Sequence, residues 1–216
     1  IHRESLHLLL HLKIKSAVNN PRQELAPLRK LLEFDRSVRR YDASRGIGRE
    51  VLEALVELTR YCASSQNMQP LRYVMVTEAA DRDRLFPLLR WARHLKDWDG
   101  PTPEQRPTAY LVQVTDTRIA PSLLCDCGLQ LQSITLGAAM LGISGCIIRN
   151  FTPAQVHEAL GLEPHYKVEY VLALGYKAEN IVLRDLQPGE DYNYYREADG
   201  THVVPKRPLS ELILDI

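Results

Sequence analysis

Apolar positions Val51, Leu52, Leu55, Leu58 and Cys62 fall on one stripe of a 3.6-residue repeat, so Arg49 to Ala63 reads as an amphipathic helix. Four shorter runs, Tyr73 to Thr77, Tyr110 to Thr115, Gly145 to Arg149 and Tyr170 to Gly175, are dense in Val, Ile, Leu and Tyr, as interior strands are. Leu123 to Leu141 is apolar over nearly the length of a bilayer span. It carries Asp126, Gln130, Gln132, Ser133 and Thr135, each of which would need a partner in lipid, so a helix buried between protein layers is expected. Ser5 to Lys15 and Gln23 to Glu33 read as two further helices with Pro21 between them. Thr152 is placed to cap another, with Pro153 in its first turn, Gln155 at its third position and Gly161 ending it. The pattern predicts helices outnumbering strands around one central sheet. After Gly175 it breaks, and Pro188, Gly189, Asn193, Asp199, Gly200, Pro205 and Pro208 punctuate a polar tail with little periodicity. That tail ends in Leu209, Leu212, Ile213 and Leu214, which ask for a packing partner such as a second subunit.

Composition narrows the function classes. The 216 residues, 45% hydrophobic and 25% charged, suffice for one substantial core. Lys plus Arg and Asp plus Glu both number 27, which leaves no excess positive field for nucleic acid, so any anion site must be local. No amino-terminal signal of basic, apolar and cleavage regions is evident, and Ile1 in place of Met reads as a trimmed or engineered start. A cytoplasmic protein with no membrane or nucleic-acid partner is expected. Cys62, Cys125, Cys127 and Cys146 lack metal-ligand spacing, and Cys125 and Cys127 do not share a helix face, so buried reduced thiols and no metal are expected.

Three local constellations carry possible chemistry. Arg36-Ser37-Val38-Arg39-Arg40-Tyr41 offers forked guanidinium donors and a hydroxyl suited to phosphate oxygens; alone, such a run is more often a solvated surface. Ser64-Ser65-Gln66-Asn67-Met68-Gln69-Pro70 lies between a helix and a strand, and its amides and hydroxyls suit a heterocycle that both donates and accepts, such as a flavin pyrimidine. By composition alone it is an ordinary polar connection. In Leu141 to Asn150 a helix turns through Gly142 and Gly145 into a strand, where free backbone N–H groups can meet a flavin ring nitrogen; a tight helix-to-strand turn explains the same residues.

In this order the constellations resemble the nitroreductase family. Arg36, Ser37, Arg39 and Tyr41 match its Arg-Ser-x-Arg-x-aromatic opening, and Ser64, Asn67, Gln69 and Pro70 its Ser-x-x-Asn-x-Gln-Pro loop. Asp126 to Cys146 resembles its long helix and glycine turn, Leu174-Gly175-Tyr176-Lys177 its closing strand, and Lys206 before Pro208 and Leu209 its final basic residue. The resemblance covers about Glu33 to Ile213. It implies an α+β fold with a mainly antiparallel central sheet flanked by helices, and a homodimer exchanging its carboxy-terminal extension. Residues 1–32 would be an amino-terminal helical segment packed on the core, and 33–216 the FMN-binding domain, with 176–216 as its extension.

The resemblance further implies an NAD(P)H-dependent FMN oxidoreductase that reduces an electrophilic small molecule, a nitroaromatic or quinone, in two half-reactions. Arg36, Ser37, Arg39 and Lys206, with Arg207 beside it, would hold the FMN phosphate. Ser64, Ser65, Asn67 and Gln69 would address the ribityl chain and pyrimidine edge, some from the other subunit. The backbone of Ile147, Ile148 and Arg149 would lie near N5 and O4. No catalytic side chain is implied, since the chemistry belongs to the flavin. Asp35 stands where many relatives have a further arginine, and Leu71 where Trp is common. Trp91, Arg93, Lys96 and Trp98 fall where relatives place a lid; a surface helix with half-buried tryptophans accounts for them equally. Reductive dehalogenation, flavin fragmentation and a flavin-binding dimer without turnover are the competing functions.

Overall fold

The computed structural model describes residues 20–214. The proposed helix at Ser5 to Lys15 lies outside them. A four-stranded antiparallel sheet forms the centre, built from β1 (Leu71–Val76), β2 (Ala109–Asp116), β3 (Ser144–Ile148) and β4 (Tyr166–Gly175), in the order β1-β2-β4-β3. The expected α+β fold with an antiparallel sheet between helices is what the chain adopts.

Alternation along the two central strands makes two cores. Leu111 of β2 and Leu172 and Leu174 of β4 pack on one face with Leu52, Leu55, Leu131, Ile134 and Ala138. Tyr110, Val112, Val171 and Ala173 pack on the other with Leu85, Trp91, Cys146, Ile148 and Val156. Every residue of β2 is therefore buried, as a strand covered on both faces must be. Each fully buried Leu or Val contributes roughly 1.5–3 kcal/mol of apolar transfer.

The helices are α1 (Pro21–Glu24), α2 (Ala26–Phe34), α3 (Arg49–Glu57), α4 (Ala79–Leu85), α5 (Leu124–Met140) and α6 (Pro153–Ala159). The single helix expected over Gln23 to Glu33 is broken at Leu25 into α1 and α2. That expected from Arg49 to Ala63 tightens into a 3-10 turn at Leu58–Tyr61. Thr152 stands at the start of α6 without a side-chain capping bond.

Helix α5 is the buried helix the sequence predicts, and its polar residues find partners in protein. Asp126 accepts from Ser64 Oγ at 2.6 Å, and Gln130 from the Tyr73 hydroxyl at 2.8 Å. Gln132 and Thr135 donate to Asp35 Oδ2 at 2.7 Å each, and Ser133 donates to the Leu129 carbonyl at 2.9 Å. Among the described residues, no helix is long and apolar enough to cross a membrane. Gly142 ends α5 at φ +72°, where a left-handed residue lets the Ile143 N–H reach back to the Ala138 carbonyl at 2.9 Å. Cys127 and Cys146 are buried, but Cys62 is only half-buried and Cys125 is exposed, on the side of α5 opposite Cys127, so the expectation of buried thiols holds for two of the four.

The tail after Gly175 departs most from expectation. It forms β5 (Ile181–Asp185), β6 (Tyr195–Arg196) and β7 (His202–Lys206), a second sheet in the order β5-β7-β6. Strands thus outnumber α-helices, seven to six, among the described residues. At the start of this extension the Ala178 N–H donates to the Arg40 carbonyl at 2.9 Å, and within it the Leu186 N–H donates to that of Lys206 at 2.7 Å.

Candidate functional site

The segment Arg36 to Tyr41 runs along the edge of β3. Val38 N–H donates to the Gly145 carbonyl at 3.0 Å, and the Tyr41 hydroxyl to the Val38 carbonyl at 2.5 Å. Val38 and Tyr41 are wholly buried, while Arg36, Ser37 and Arg39 keep contact with solvent. Gly175 makes room for the tyrosine, since a methyl group there would lie 2.6 Å from Tyr41 Cδ1. Aromatic anchor and glycine together set the path of the arginine segment.

The extension clamps the segment from the other side. Glu179 accepts the backbone N–H of Arg39 at 2.5 Å and of Arg40 at 3.1 Å, and its second oxygen takes Arg196 Nη2 at 3.1 Å. The Arg39 guanidinium lies 4.7 Å from the Tyr194 ring centroid, and its Nη1 is 3.4 Å from His202 Nε2. His202 is 1% exposed; burial first, then Arg39, pushes its pKa down to about 4. It is therefore neutral at physiological pH. Its Nδ1 is buried without a hydrogen-bond partner, as is Ser144 Oγ at the start of β3.

These elements enclose a cavity of about 350 Å³ lined by Arg36, Ser37, Arg39, Gly145, His202 and Lys206, among others. Arg36, Arg39 and Lys206 make no ion pair among the described residues. Asp35 also lines it, its Oδ2 accepting from the Gln132 amide and the Thr135 hydroxyl of α5. Arg207 lies outside this lining and pairs with Glu211 at 2.7 Å. A second cavity of about 510 Å³ shares Arg39 and Ile147 with the first and adds Ile148, Arg149, Arg90, Trp91 and Arg93. Both lie in the size range of small-molecule sites.

The loop Ser64 to Gln69 is not brought to these cavities within one chain. Asp126 fixes it at the amino-terminal end of α5, through Ser64 Oγ and the Ser65 N–H at 3.1 Å. At about 1.5 Å rise per residue, that is roughly 13 Å along the helix from Thr135, which lines the smaller cavity. Gln66, Asn67 and Gln69 hold φ near +50°, a left-handed conformation uncommon outside glycine. Ser65, Asn67 and Gln69 are exposed. Leu71 is buried at the start of β1.

Residues 90–100 form irregular turns rather than a helix. Trp91 sits in the core with its ring 5.9 Å from that of Phe86, so it lines the larger cavity from beneath rather than from an open lid. Trp98 is held between Arg196 at 4.3 Å and Arg40 at 5.9 Å from its ring. Lys96 lines a separate surface hollow, and only Arg93 of the four lid candidates joins Trp91 at the larger cavity.

Sequence reasoning passed over Glu179, Tyr194 and His202. The signal for them was their place in the polar tail that leads up to Lys206.

The nitroreductase family model matches residues 33–176, two thirds of the chain. The chain belongs to the nitroreductase family. Solved structures at low identity share the fold. A nitroreductase family protein from Streptococcus pneumoniae TIGR4 is 18% identical, covering 88% of this chain and 100% of its own, with a TM-score of 0.63. A protein from Exiguobacterium sibiricum 255-15, solved in complex with FMN, is 18% identical over 87% of this chain and 96% of its own, with a TM-score of 0.63. A protein from Staphylococcus epidermidis ATCC 12228, provisionally named an NAD(P)H:FMN oxidoreductase, is 15% identical over 94% and 98%, with a TM-score of 0.65. No curated protein sequence matches.

Proposed function

We propose that this nitroreductase-family chain is an FMN-dependent oxidoreductase that takes electrons from NAD(P)H and delivers them to an electrophilic small molecule, a nitroaromatic or a quinone. The observation that carries this reading is the convergence of Arg36, Arg39 and Lys206, three cations without ion-pair partners among the described residues, on one cavity with Ser37. In a chain of zero formal net charge, such a concentration fits a phosphate monoester. His202, whose Nδ1 has no hydrogen-bond partner among the described residues, also lines this cavity and is a polar group that a bound ligand can satisfy.

When bound, FMN supplies two-electron redox chemistry, accepting a hydride from a nicotinamide and passing electrons to the acceptor. Arg36, Ser37, Arg39 and Lys206 would hold its phosphate, and Arg207 would add charge nearby. The backbone of Ile147, Ile148 and Arg149 would lie along the ring, since these residues line the larger, adjoining cavity. Ser64, Ser65, Asn67 and Gln69 would reach the ribityl chain and pyrimidine from a second chain, which makes the homodimer part of the site. Exposed Leu124, Leu129 and Met140 on α5 and Leu209, Leu212, Ile213 and Leu214 in the extension supply apolar surface for that dimer.

The test is the visible spectrum of the purified protein with added FMN, before and after NADH or NADPH under argon. A bound flavin that bleaches on NAD(P)H and recovers with a nitroaromatic or quinone is expected. A protein that takes up no FMN would overturn the reading, and a bound flavin that neither nucleotide bleaches would reassign it as a flavin carrier.

A further inference from the structure

The larger cavity holds more positive charge than one phosphate needs. Arg90, Arg93 and Arg149 all line it, and among the described residues no Asp or Glu does. None of the three has a carboxylate partner among the described residues: Arg90 donates to the Pro87 carbonyl at 2.9 Å and Arg149 to the Tyr170 hydroxyl at 3.0 Å. By contrast, Arg49, Arg84, Arg118, Arg184, Arg196 and Arg207 are each paired with a carboxylate. Other arginines and lysines without carboxylate partners among the described residues, such as Arg45, Arg72 and Lys177, lie singly on rings or carbonyls elsewhere, whereas these three share one cavity.

The backbone builds this arrangement. The Arg90 N–H donates to the Asn150 carbonyl at 2.9 Å, which ties the 90–93 turn to the end of β3 and so sets Arg90 and Arg93 beside Arg149. Ala92, itself buried, takes φ +40°, an uncommon conformation for a residue with a side chain and the kind of strain that collects at binding sites. Between the two arginines, Trp91 is anchored in the core. The turn therefore spends a strained residue and a buried tryptophan on presenting exposed arginines around a cavity.

We infer that the larger cavity takes a substrate bearing an anionic group, a carboxylate or phosphate, with Arg90, Arg93 and Arg149 as its counter-charges. The inference rests on the FMN reading in one respect: the FMN phosphate is assigned to Arg36, Arg39 and Lys206, which leaves the second cluster for another anion. That anion can belong to the electron acceptor or to the dinucleotide phosphate. Because the arginines are exposed, their attraction is screened, and a selectivity of about tenfold is expected rather than absolute discrimination.

The experiment compares binding of para-nitrobenzoate with its neutral counterpart para-nitrobenzamide, by isothermal titration, on the protein with and without FMN. FMN affinity is followed separately by quenching of flavin fluorescence. Wild type should bind the carboxylate about tenfold more tightly, with the preference falling as salt rises. Arg93→Gln should bring the two ligands to within about twofold, Arg93→Lys should retain most of the difference, and FMN affinity should hold in both. If the preference appears instead between NADPH and NADH in flavin reduction, and is lost in Arg93→Gln, the same site serves the dinucleotide phosphate. Equal binding of the charged and neutral ligands, together with equal responses to NADPH and NADH, would overturn the inference. So would a loss of FMN affinity in Arg93→Gln and Arg93→Lys with the anion preference intact, which would assign the arginines to the flavin. A protein that fails to bind FMN yet prefers the carboxylate would leave the anion site standing and sink the flavin reading alone.

Discussion

His202 Nε2 lies 3.4 Å from Nη1 of Arg39, and because a guanidinium only donates, the imidazole can serve this contact only as the neutral acceptor. The proton then sits on Nδ1, which has no hydrogen-bond partner among the described residues. A residue of the extension thereby sets the side chain of the arginine segment proposed to hold phosphate.

A pH dependence follows. The folded pKa of His202 is depressed to about 4 from an ordinary 6.5, so the unfolded chain takes up a proton first as pH falls. Its contribution to stability is full above pH 6.5 and is lost between about 6.5 and 4, by roughly 3 kcal/mol. Urea melts of wild type and His202→Gln at pH 7 and pH 4.5 check this: the variant should lose less stability on acidification. An equal loss in both proteins would show that His202 is not the titrating group.

Removing cations from the smaller cavity should act on the flavin. Arg36→Ala and Lys206→Ala should each weaken FMN binding about tenfold to a hundredfold, the worth of one charge-assisted hydrogen bond, without lowering the melting temperature of the flavin-free protein. Fluorescence titration and thermal melts read the two effects separately. Arg207→Ala, outside the lining, should change FMN affinity less than either.

Glu179→Gln should behave differently. It keeps the shape but removes the charge that accepts two backbone N–H groups and Arg196 inside the fold. A stability loss of about 1–3 kcal/mol is expected together with weaker FMN binding, because the same carboxylate supports the fold and the path of the arginine segment.

Gly175→Ala should cost about 1–3 kcal/mol through overpacking against Tyr41, whose Cβ, Cγ and Cδ1 all lie within 3.0 Å of the added methyl group. Adding Tyr41→Phe should not relieve it, since the clash is with the ring and not the hydroxyl. Double-mutant denaturation decides.

The proposed sharing of the site between two chains is testable by complementation. A chain with Arg36→Ala and Lys206→Ala, mixed with one carrying Asn67→Ala and Gln69→Ala, should recover one intact FMN site per mixed dimer. No recovery after co-refolding would place the Ser64 to Gln69 loop outside the flavin site.

Much of this protein was legible along the chain because the relevant physics is local. Leu172 and Leu174 alternate with Val171 and Ala173, so β4 was readable as an interior strand, and the antiparallel α+β fold followed from the family-like order of motifs around it. The polar residues of α5 excluded lipid before any partner was known, and Gly142 marked its end. What the tertiary structure alone decided was which separated residues meet. Strands β5 to β7 carry no alternation that stands out, and the pairing of β5 with β7 joins segments about 20 residues apart that only folding brings together. Glu179, Tyr194 and His202 acquire meaning only there, about 140 to 160 positions from the arginines they hold. The Ser64 loop, equally clear as a motif, is held at the far end of α5. A residue's chemistry can be read from its type and near neighbours, but a binding site is a coincidence in space, and packing of distant segments determines that coincidence.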